Sequence, residues 1–243
     1  KELKKALKGA SYLIKASSLA FVNIDCVLDC CANLNIKRVV FISSTSIFTR
    51  LNASSKAIRL RAEEKIKSSN LNWTIIRPTM IYGTPKDRNM IRLIEWIDKF
   101  HFVPIFGSGE SLQQPVYVKD LAWSIVEVLQ RTVTYKEDYS ISGKYPETFV
   151  EIINQVSEIL NKKVFFIKLP YRLFVYIFKF LEIMKIKLPI KSEQIKRLNE
   201  NKDFSYKKAK MHFGYNPKTF KEGIKKEIQL YSKLNTQNKL RLF

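Results

Sequence analysis

Residues 38–46 read Arg-Val-Val-Phe-Ile-Ser-Ser-Thr-Ser, an apolar run that ends in four small hydroxyl side chains. A continuous β-branched and aromatic run is typical of a strand covered on both faces in a parallel sheet. The hydroxyl residues follow at the carboxyl end of that strand, which is the edge where open α/β sheets place their ligands. This stretch predicts a parallel α/β sheet with a binding site beside residues 43–46.

The same alternation of strand and helix continues on both sides of this stretch. Upstream, residues 11–14 predict a short strand and residues 23–34 a helix with apolar side chains at core spacing. Downstream, a helix from Ser54 to Lys67 leads to a second buried strand at residues 73–76. Alternating elements of this length predict parallel strands with right-handed crossovers. The rest of the chain is predicted to be mostly helical, including residues 149–160, 172–187 and 192–198.

Composition limits the class of protein. With 243 residues, of which 46% are hydrophobic, the chain can bury one sizeable core and carry a smaller appended domain. Its three cysteines, Cys26, Cys30 and Cys31, are too close together to form a disulfide framework or a four-ligand metal site. We therefore expect no metal site and a reducing, cytoplasmic location.

The formal net charge of +21 favours anionic partners. The lysines are scattered along the chain, and no zinc-finger, basic-zipper or RNA-binding motif accompanies them. We therefore expect no nucleic-acid partner. A peripheral contact with an anionic membrane, at the inner membrane face, stays open.

Five motifs in order carry a family resemblance. They are Ala16-Ser-Ser-Leu19, Arg38-Val-Val-Phe-Ile-Ser-Ser-Thr-Ser-Ile-Phe48, Asn72-Trp-Thr-Ile-Ile-Arg-Pro-Thr-Met-Ile-Tyr-Gly83, Gln114-Pro-Val-Tyr-Val-Lys-Asp-Leu-Ala122, and Lys202-Asp-Phe with Phe213-Gly-Tyr-Asn-Pro217. Together they resemble the NAD-dependent epimerase/dehydratase family, the extended and atypical branch of the short-chain dehydrogenase/reductases. The resemblance covers nearly the whole chain. It implies a Rossmann-like parallel sheet with helices on both faces and a small, mostly helical C-terminal substrate region.

The family's Gly-x-x-Gly-x-x-Gly turn, which lets backbone amides approach a pyrophosphate, has no match among the seven glycines. By resemblance, residues 1–8 correspond to the helix before the fourth strand. We therefore expect the chain to be N-terminally truncated, with the first strands of the sheet missing. Residues 1–145 are predicted to form a partial NAD(P)-binding domain, in which residues 77–118 contribute to the substrate cleft. Residues 146–243 are predicted to form the substrate and lid region.

Catalysis in the family requires a Tyr whose phenol exchanges a proton with the substrate, a Lys four residues later, and a Ser or Thr that orients the substrate. By resemblance, Ser44 or its neighbour Thr45 takes the orienting position and Lys56 that of the lysine. Asn52 occupies the position of the tyrosine. Because an amide has no titratable proton, whether the protein is an enzyme stays open.

The resemblance also implies which residues bind ligands. The predicted contacts with NAD or NADP are made by Ser17, Ser18, Ser43, Lys56, Pro78 and Thr79, and those with substrate by Arg77, Tyr82 and Gln114. The arginine with which many extended enzymes hold a nucleotide diphosphate is absent after Gln113-Gln114, where Pro115 stands. Diphosphate binding by that route is not expected.

The implied function is NAD(P)-dependent epimerisation, dehydration or reduction of a sugar-nucleotide-like or other small alcohol or carbonyl substrate. The alternative is a non-catalytic cofactor-binding scaffold or sensor of the same fold. The strongly apolar helix at residues 172–187 is either a lid over a substrate cleft or an interfacial helix on anionic lipid. A homodimer also stays open.

Overall fold

The computed structural model describes residues 2–87, 89–186 and 192–240. The chain divides into two compact units. Unit 1 comprises residues 1–79, 119–142 and 204–216, and unit 2 comprises residues 80–118, 143–203 and 217–243. Each unit is thus assembled from three separate stretches, whereas the sequence predicted a single division after residue 145. The predicted assignment of cofactor and substrate roles to those two parts stays a prediction.

Ten strands and ten α-helices follow one another along the described residues. The strands are β1 (Tyr12–Lys15), β2 (Arg38–Ile42), β3 (Trp73–Pro78), β4 (Ile81–Tyr82), β5 (Phe102–Phe106), β6 (Leu112–Gln113), β7 (Val116–Tyr117), β8 (Glu137–Ile141), β9 (Glu147–Thr148) and β10 (Phe165–Leu169). The helices are α1 (Glu2–Ala6), α2 (Ile24–Asn33), α3 (Ser54–Lys67), α4 (Met90–Lys99), α5 (Val118–Gln130), α6 (Phe149–Leu160), α7 (Tyr171–Ile183), α8 (Ser192–Leu198), α9 (Lys207–Phe213) and α10 (Phe220–Leu240). The sequence predicted that the helix at residues 172–187 continues past Ile183, whereas the structure ends α7 there and forms a turn at residues 184–185; Lys187 itself lies outside the described residues.

Unit 1 contains a parallel sheet with the strand order β1-β2-β3-β8. Every residue of β2 and β3 is buried, as the continuous apolar runs predicted. The register pairs Val39 with Trp73 and Ile42 with Ile76, so these two strands end side by side. The carboxyl end of β2 therefore delivers residues 43–46 to the same edge as residues 77–79.

Helices cover both faces of this sheet. On one face, α2 and α3 contribute Val27 and Ile66 to a core that contains Val39 and Phe41 of β2. On the other face, the buried Arg38 side chain donates to the α5 backbone at the carbonyl of Val128, 2.9 Å away. The structure confirms the predicted α/β fold with a parallel sheet and helices on both faces.

Unit 2 is built around α4, α6 and α10, whose apolar sides form one core with β5. In α6, a capping box fixes the start of the helix, because Thr148 and Glu151 satisfy each other's backbone N–H groups. Strand β5 pairs in parallel with β10, in the register Phe102 with Phe165. None of the described helices is both long and apolar enough to be a candidate for crossing a membrane.

Candidate functional site

The predicted cofactor edge of the sheet is assembled in unit 1. The backbone N–H of Ser43 donates to the carbonyl of Ile76 at 2.7 Å, so β2 and β3 stay paired to their carboxyl ends. The buried Thr45 hydroxyl donates to the carbonyl of Pro78 at 3.2 Å. The backbone N–H of Thr79 donates in turn to the carbonyl of Ile141 on β8. Residues from three strands therefore meet where the sequence predicted a nicotinamide site.

Ser43 has an unusual side chain. Its Oγ is buried and has no hydrogen-bond partner within the described structure. A buried hydroxyl without a partner costs about 1–3 kcal/mol, so such a group indicates a missing partner. Ser44 differs, because its Oγ accepts from the backbone N–H of Ser46 at 3.2 Å and caps a short 3₁₀ turn. The Ser44 O–H can still donate to a ligand.

Arg59 connects two of the predicted segments, although no role was predicted for it. From α3 its guanidinium donates to Ser18 Oγ at 3.4 Å and to Ser46 Oγ at 3.3 Å. These serines follow β1 and β2, so one α3 side chain holds both strand ends together. Ser17 is exposed, and its backbone carbonyl accepts from the Lys15 ammonium. A signal that could have revealed Arg59 is its position one helical turn after Lys56 on the predicted helix.

Lys56 lies in the first turn of α3, and its Nζ donates to the carbonyl of Thr49 at 2.6 Å. Asn52 is exposed and precedes the helix, which starts at Ser54. Lys56 is therefore positioned at the sheet edge by the loop after β2. Its catalytic and cofactor roles stay predictions, as do those of Ser44 and Thr45.

The buried Arg77 side chain forms ion pairs within unit 1. It is 6% exposed, its Nη2 lies 2.6 Å from Glu63 on α3, and its Nη1 lies 2.6 Å from Asp138 on β8. Lys67 binds the other oxygen of Asp138 at 2.7 Å. Burial raises the pKa of Asp138, but the hydrogen bonds from Arg77 and Lys67 outweigh that effect and bring the pKa to about 2. These contacts give Arg77 a structural role, and its predicted substrate role stays a prediction.

The other two predicted substrate residues lie in unit 2. Tyr82 is 1% exposed, and its hydroxyl donates to the carbonyl of Phe220 at 3.3 Å. Gln114 is also buried, and its Nε2 donates to the carbonyl of Gly143 at 2.8 Å. Both side chains thus support the local fold of unit 2, and their predicted contacts with substrate are untested.

A cationic cluster that sequence reasoning missed lies beside β6 in unit 2. Lys202 Nζ donates to Gln113 Oε1 at 3.1 Å, and Gln113 Nε2 donates to the carbonyl of Glu200. Burial lowers the pKa of Lys202 to about 8; Glu200 opposes this shift and Arg197 adds to it. Arg197 pairs with Glu193 through Nη2, while its buried Nε has no hydrogen-bond partner in the described structure. Two neighbouring cations with an unused N–H group can accept an anion.

Two carboxyl groups, of which Glu227 is fully buried, fix the loop after β4. Glu227 belongs to α10, and its Oε2 accepts from the backbone N–H of Gly83 at 2.7 Å. Burial and the neighbouring Asp87 carboxyl group raise the pKa of Glu227 to about 9, so this group is neutral at pH 7. Asp87 Oδ1 accepts from the backbone N–H of Met90 at 2.8 Å, at the start of α4. The pair therefore connects α10 to both ends of the loop.

Residues 52–157 match the model of the 3-beta hydroxysteroid dehydrogenase/isomerase family. The chain is 28% identical over 171 residues to "NADH dehydrogenase [ubiquinone] 1 alpha subcomplex subunit 9, mitochondrial" of Arabidopsis thaliana, covering 66% of the chain and 41% of that protein. It is 27% identical over 160 residues to the N-acetyl-alpha-D-glucosaminyl-diphospho-ditrans,octacis-undecaprenol 4-epimerase of Escherichia coli O157:H7, covering 64% and 48%.

Among solved structures, UDP-glucuronic acid 4-epimerase from Bacillus cereus in complex with NAD superimposes with a TM-score of 0.75 at 16% identity, covering 96% of the chain and 78% of that structure. In sequence and in fold the chain is therefore similar to extended short-chain dehydrogenase/reductases of the NAD-dependent epimerase/dehydratase kind, as the five motifs predicted. The chain spans 24% to 57% of the length of the first three curated relatives.

Proposed function

We propose that the complete gene product binds NAD or NADP at the carboxyl ends of β2 and β3 and acts on a sugar-nucleotide-like or other small alcohol or carbonyl substrate. The observation that supports this most directly is the buried Ser43 hydroxyl, which has no hydrogen-bond partner among the described residues and follows β2 at the edge where Thr45 donates to the carbonyl of Pro78. It needs a partner, and a ligand at this edge would supply one. Structural neighbours bound to NAD support the choice of cofactor.

The described residues fit one end of such a cofactor. Ser43, Thr79 and Lys56 offer hydroxyl and ammonium groups suited to the nicotinamide and its ribose. A glycine-rich turn for the pyrophosphate is not found in the sequence of this chain. The bound nicotinamide would supply hydride transfer to or from a substrate carbon. These residues would orient it and keep water from the reacting carbon.

Proton transfer is the step for which this chain is poorly equipped. Lys56 can stabilise a nearby oxyanion, and the Ser44 hydroxyl can hold the substrate oxygen. Asn52, at the position of the acid/base, cannot exchange a proton. This supports the second candidate, a cofactor-binding scaffold or sensor without turnover. One relative is named as a subunit of NADH dehydrogenase, and similarity to a subunit of an assembly also supports this second candidate.

For the substrate, we propose that Arg197 and Lys202 bind an anionic group such as a diphosphate. Both belong to unit 2, and neither lies at the position where the resemblance places the family arginine. Relatives and neighbours named as sugar-nucleotide and diphospho-undecaprenol epimerases support a diphosphate-containing substrate. A homodimer and a peripheral position at an anionic membrane stay predictions.

Activity of the Asn52→Tyr variant separates the two candidates. The complete gene product and its variant are incubated with NAD and UDP-glucuronic acid or UDP-glucose, and sugar products are followed by nuclear magnetic resonance. An enzyme that lacks only its acid/base should gain about 100-fold in turnover. Turnover that is already fast in the wild type and unchanged in the variant would show that another group transfers the proton. If neither protein turns over but both bind NAD, the scaffold function is favoured.

A further inference from the structure

Helix α7 presents an apolar stripe to solvent. Its members recur every three or four residues and therefore share one side of the helix. They are Leu173, Tyr176, Ile177, Phe180, Ile183 and Met184, of which Tyr176, Phe180 and Ile183 are 72%, 62% and 71% exposed. Large exposed apolar side chains scattered singly are ordinary, but six in one continuous row indicate an interaction surface.

The opposite side of α7 is already occupied within unit 2. Val175 is buried, and the rings of Phe174 and Phe178 pack against Phe106 of β5 at centroid distances of 5.5 and 5.9 Å. Glu182 accepts from the backbone N–H of Ser192 at 2.6 Å, at the start of α8. The helix is thus held by its inner side, and the apolar stripe is its free outer side.

The charged side chains of the segment that contains the apolar stripe are almost all positive. Residues 161–186 contain six basic side chains and a single acidic one, Glu182, which bonds to Ser192. Arg172 and Lys179 are one heptad apart, so they lie along one flank of the stripe. Both are exposed. An apolar row flanked by cations on a chain of net charge +21 complements an anionic, partly apolar surface.

We propose that α7 is an interfacial helix that rests on an anionic membrane. The apolar stripe enters the boundary between headgroups and acyl chains, and Arg172 and Lys179 contact the phosphates. At 13 residues α7 is about 20 Å long, shorter than the roughly 30 Å hydrocarbon core, so it lies in the surface plane. A second copy of this chain is a poorer occupant, because its own stripe would bring a second set of cations. This inference is independent of NAD(P) binding and of turnover.

The test is sedimentation of the complete gene product with vesicles of phosphatidylcholine, with and without about one quarter phosphatidylglycerol. We expect binding to the anionic vesicles, at least tenfold weaker binding to the neutral ones, and loss of binding in about 0.5 M salt. The double variant Tyr176→Ser, Phe180→Ser should bind at least tenfold more weakly, because it removes apolar area from the stripe and leaves the net charge unchanged.

Two matched controls distinguish binding through the apolar stripe from nonspecific binding to vesicles. Phe21→Ser removes a side chain that is 89% exposed in unit 1, and it should leave vesicle binding unchanged. Lys179→Glu and Lys207→Glu alter the net charge equally, but only Lys179 flanks the stripe, so only its variant should lose about tenfold or more. Equal losses in each matched pair would overturn the proposal. The proposal would also be overturned if the protein formed dimers through the apolar stripe and did not bind vesicles. Sedimentation velocity without lipid detects such dimers.

Discussion

Replacing Arg77 by Met tests whether this residue stabilises unit 1. The guanidinium donates to both carboxylate oxygens of Glu63, at 3.1 and 3.0 Å from Nε and 2.6 Å from Nη2, and to Asp138 at 2.6 Å. The Glu63 side chain is only 4% exposed, so Met would leave its carboxylate buried without this cation. Loss of one partner of a buried ion pair costs about 3–5 kcal/mol. We expect that decrease in the free energy of unfolding at pH 7.

Urea denaturation followed by circular dichroism measures this change. Arg131→Met is the matched control, because Arg131 is 48% exposed in its pair with Glu127 and should cost less than about 1 kcal/mol. Adding Glu63→Met to Arg77→Met should restore part of the lost stability, because no buried carboxylate is then left at position 63. A cost below about 1 kcal/mol for Arg77→Met alone would refute this reasoning and leave Arg77 available for substrate.

Three further outcomes are expected. The pKa of Asp138 is about 2 in the folded protein, below the ordinary 3.8, so the stability that this carboxylate contributes is present above about pH 4 and is lost as pH falls towards 2. In urea denaturation, Asp138→Asn should lower the free energy of unfolding by about 2 kcal/mol at pH 7 and should flatten its dependence on acid pH. The pKa of Glu227 is about 9, above the ordinary 4.5, so its contribution to the free energy of unfolding is complete below about pH 4.5 and declines as pH rises to about 9. Glu227→Gln should therefore reduce the fall in the free energy of unfolding between pH 4.5 and 9, and an unchanged pH profile would contradict a buried neutral carboxyl group. Lys202→Ala should weaken binding of UDP to the complete gene product at least tenfold in calorimetry, whereas the exposed Lys207→Ala should not.

The parts of the fold that the sequence predicted best are those with a strong local signal. Strand β2 was predicted at its observed bounds because the continuous apolar run at residues 39–42 is typical of a buried parallel strand. Helix α6 was likewise predicted at its bounds, residues 149–160, and the structure shows that Thr148 and Glu151 form a capping box at its start. The parallel pairing of β5 with β10 was not predicted. Pro104 inside β5 argues against a strand, and the two strands lie about 60 residues apart.

The candidate site was predicted less completely, for physical reasons. Motif position identified Ser43 and Thr45, but only packing reveals that the Ser43 hydroxyl is buried and has no partner in the part of the chain that the structure describes. Arg77 was assigned to substrate from the family resemblance, whereas its two carboxylate partners come from distant elements that no local pattern connects to it. Helix α7 reads as apolar nearly all round, and only the fold separates its packed side from its exposed one.

In the proposed function, the sheet edge beside Ser43 and Lys56 holds the nicotinamide end of NAD or NADP. Titration of the complete gene product with NADH and NADPH, followed by nicotinamide fluorescence, measures this binding. We expect saturable binding of one of them, at least tenfold weaker in Lys56→Ala and unchanged in Lys65→Ala, a surface lysine of the same helix paired with Asp25. Thermal unfolding of each variant identifies any general loss of structure. Absence of saturable binding in the wild type, or equal binding by Lys56→Ala, would contradict the account.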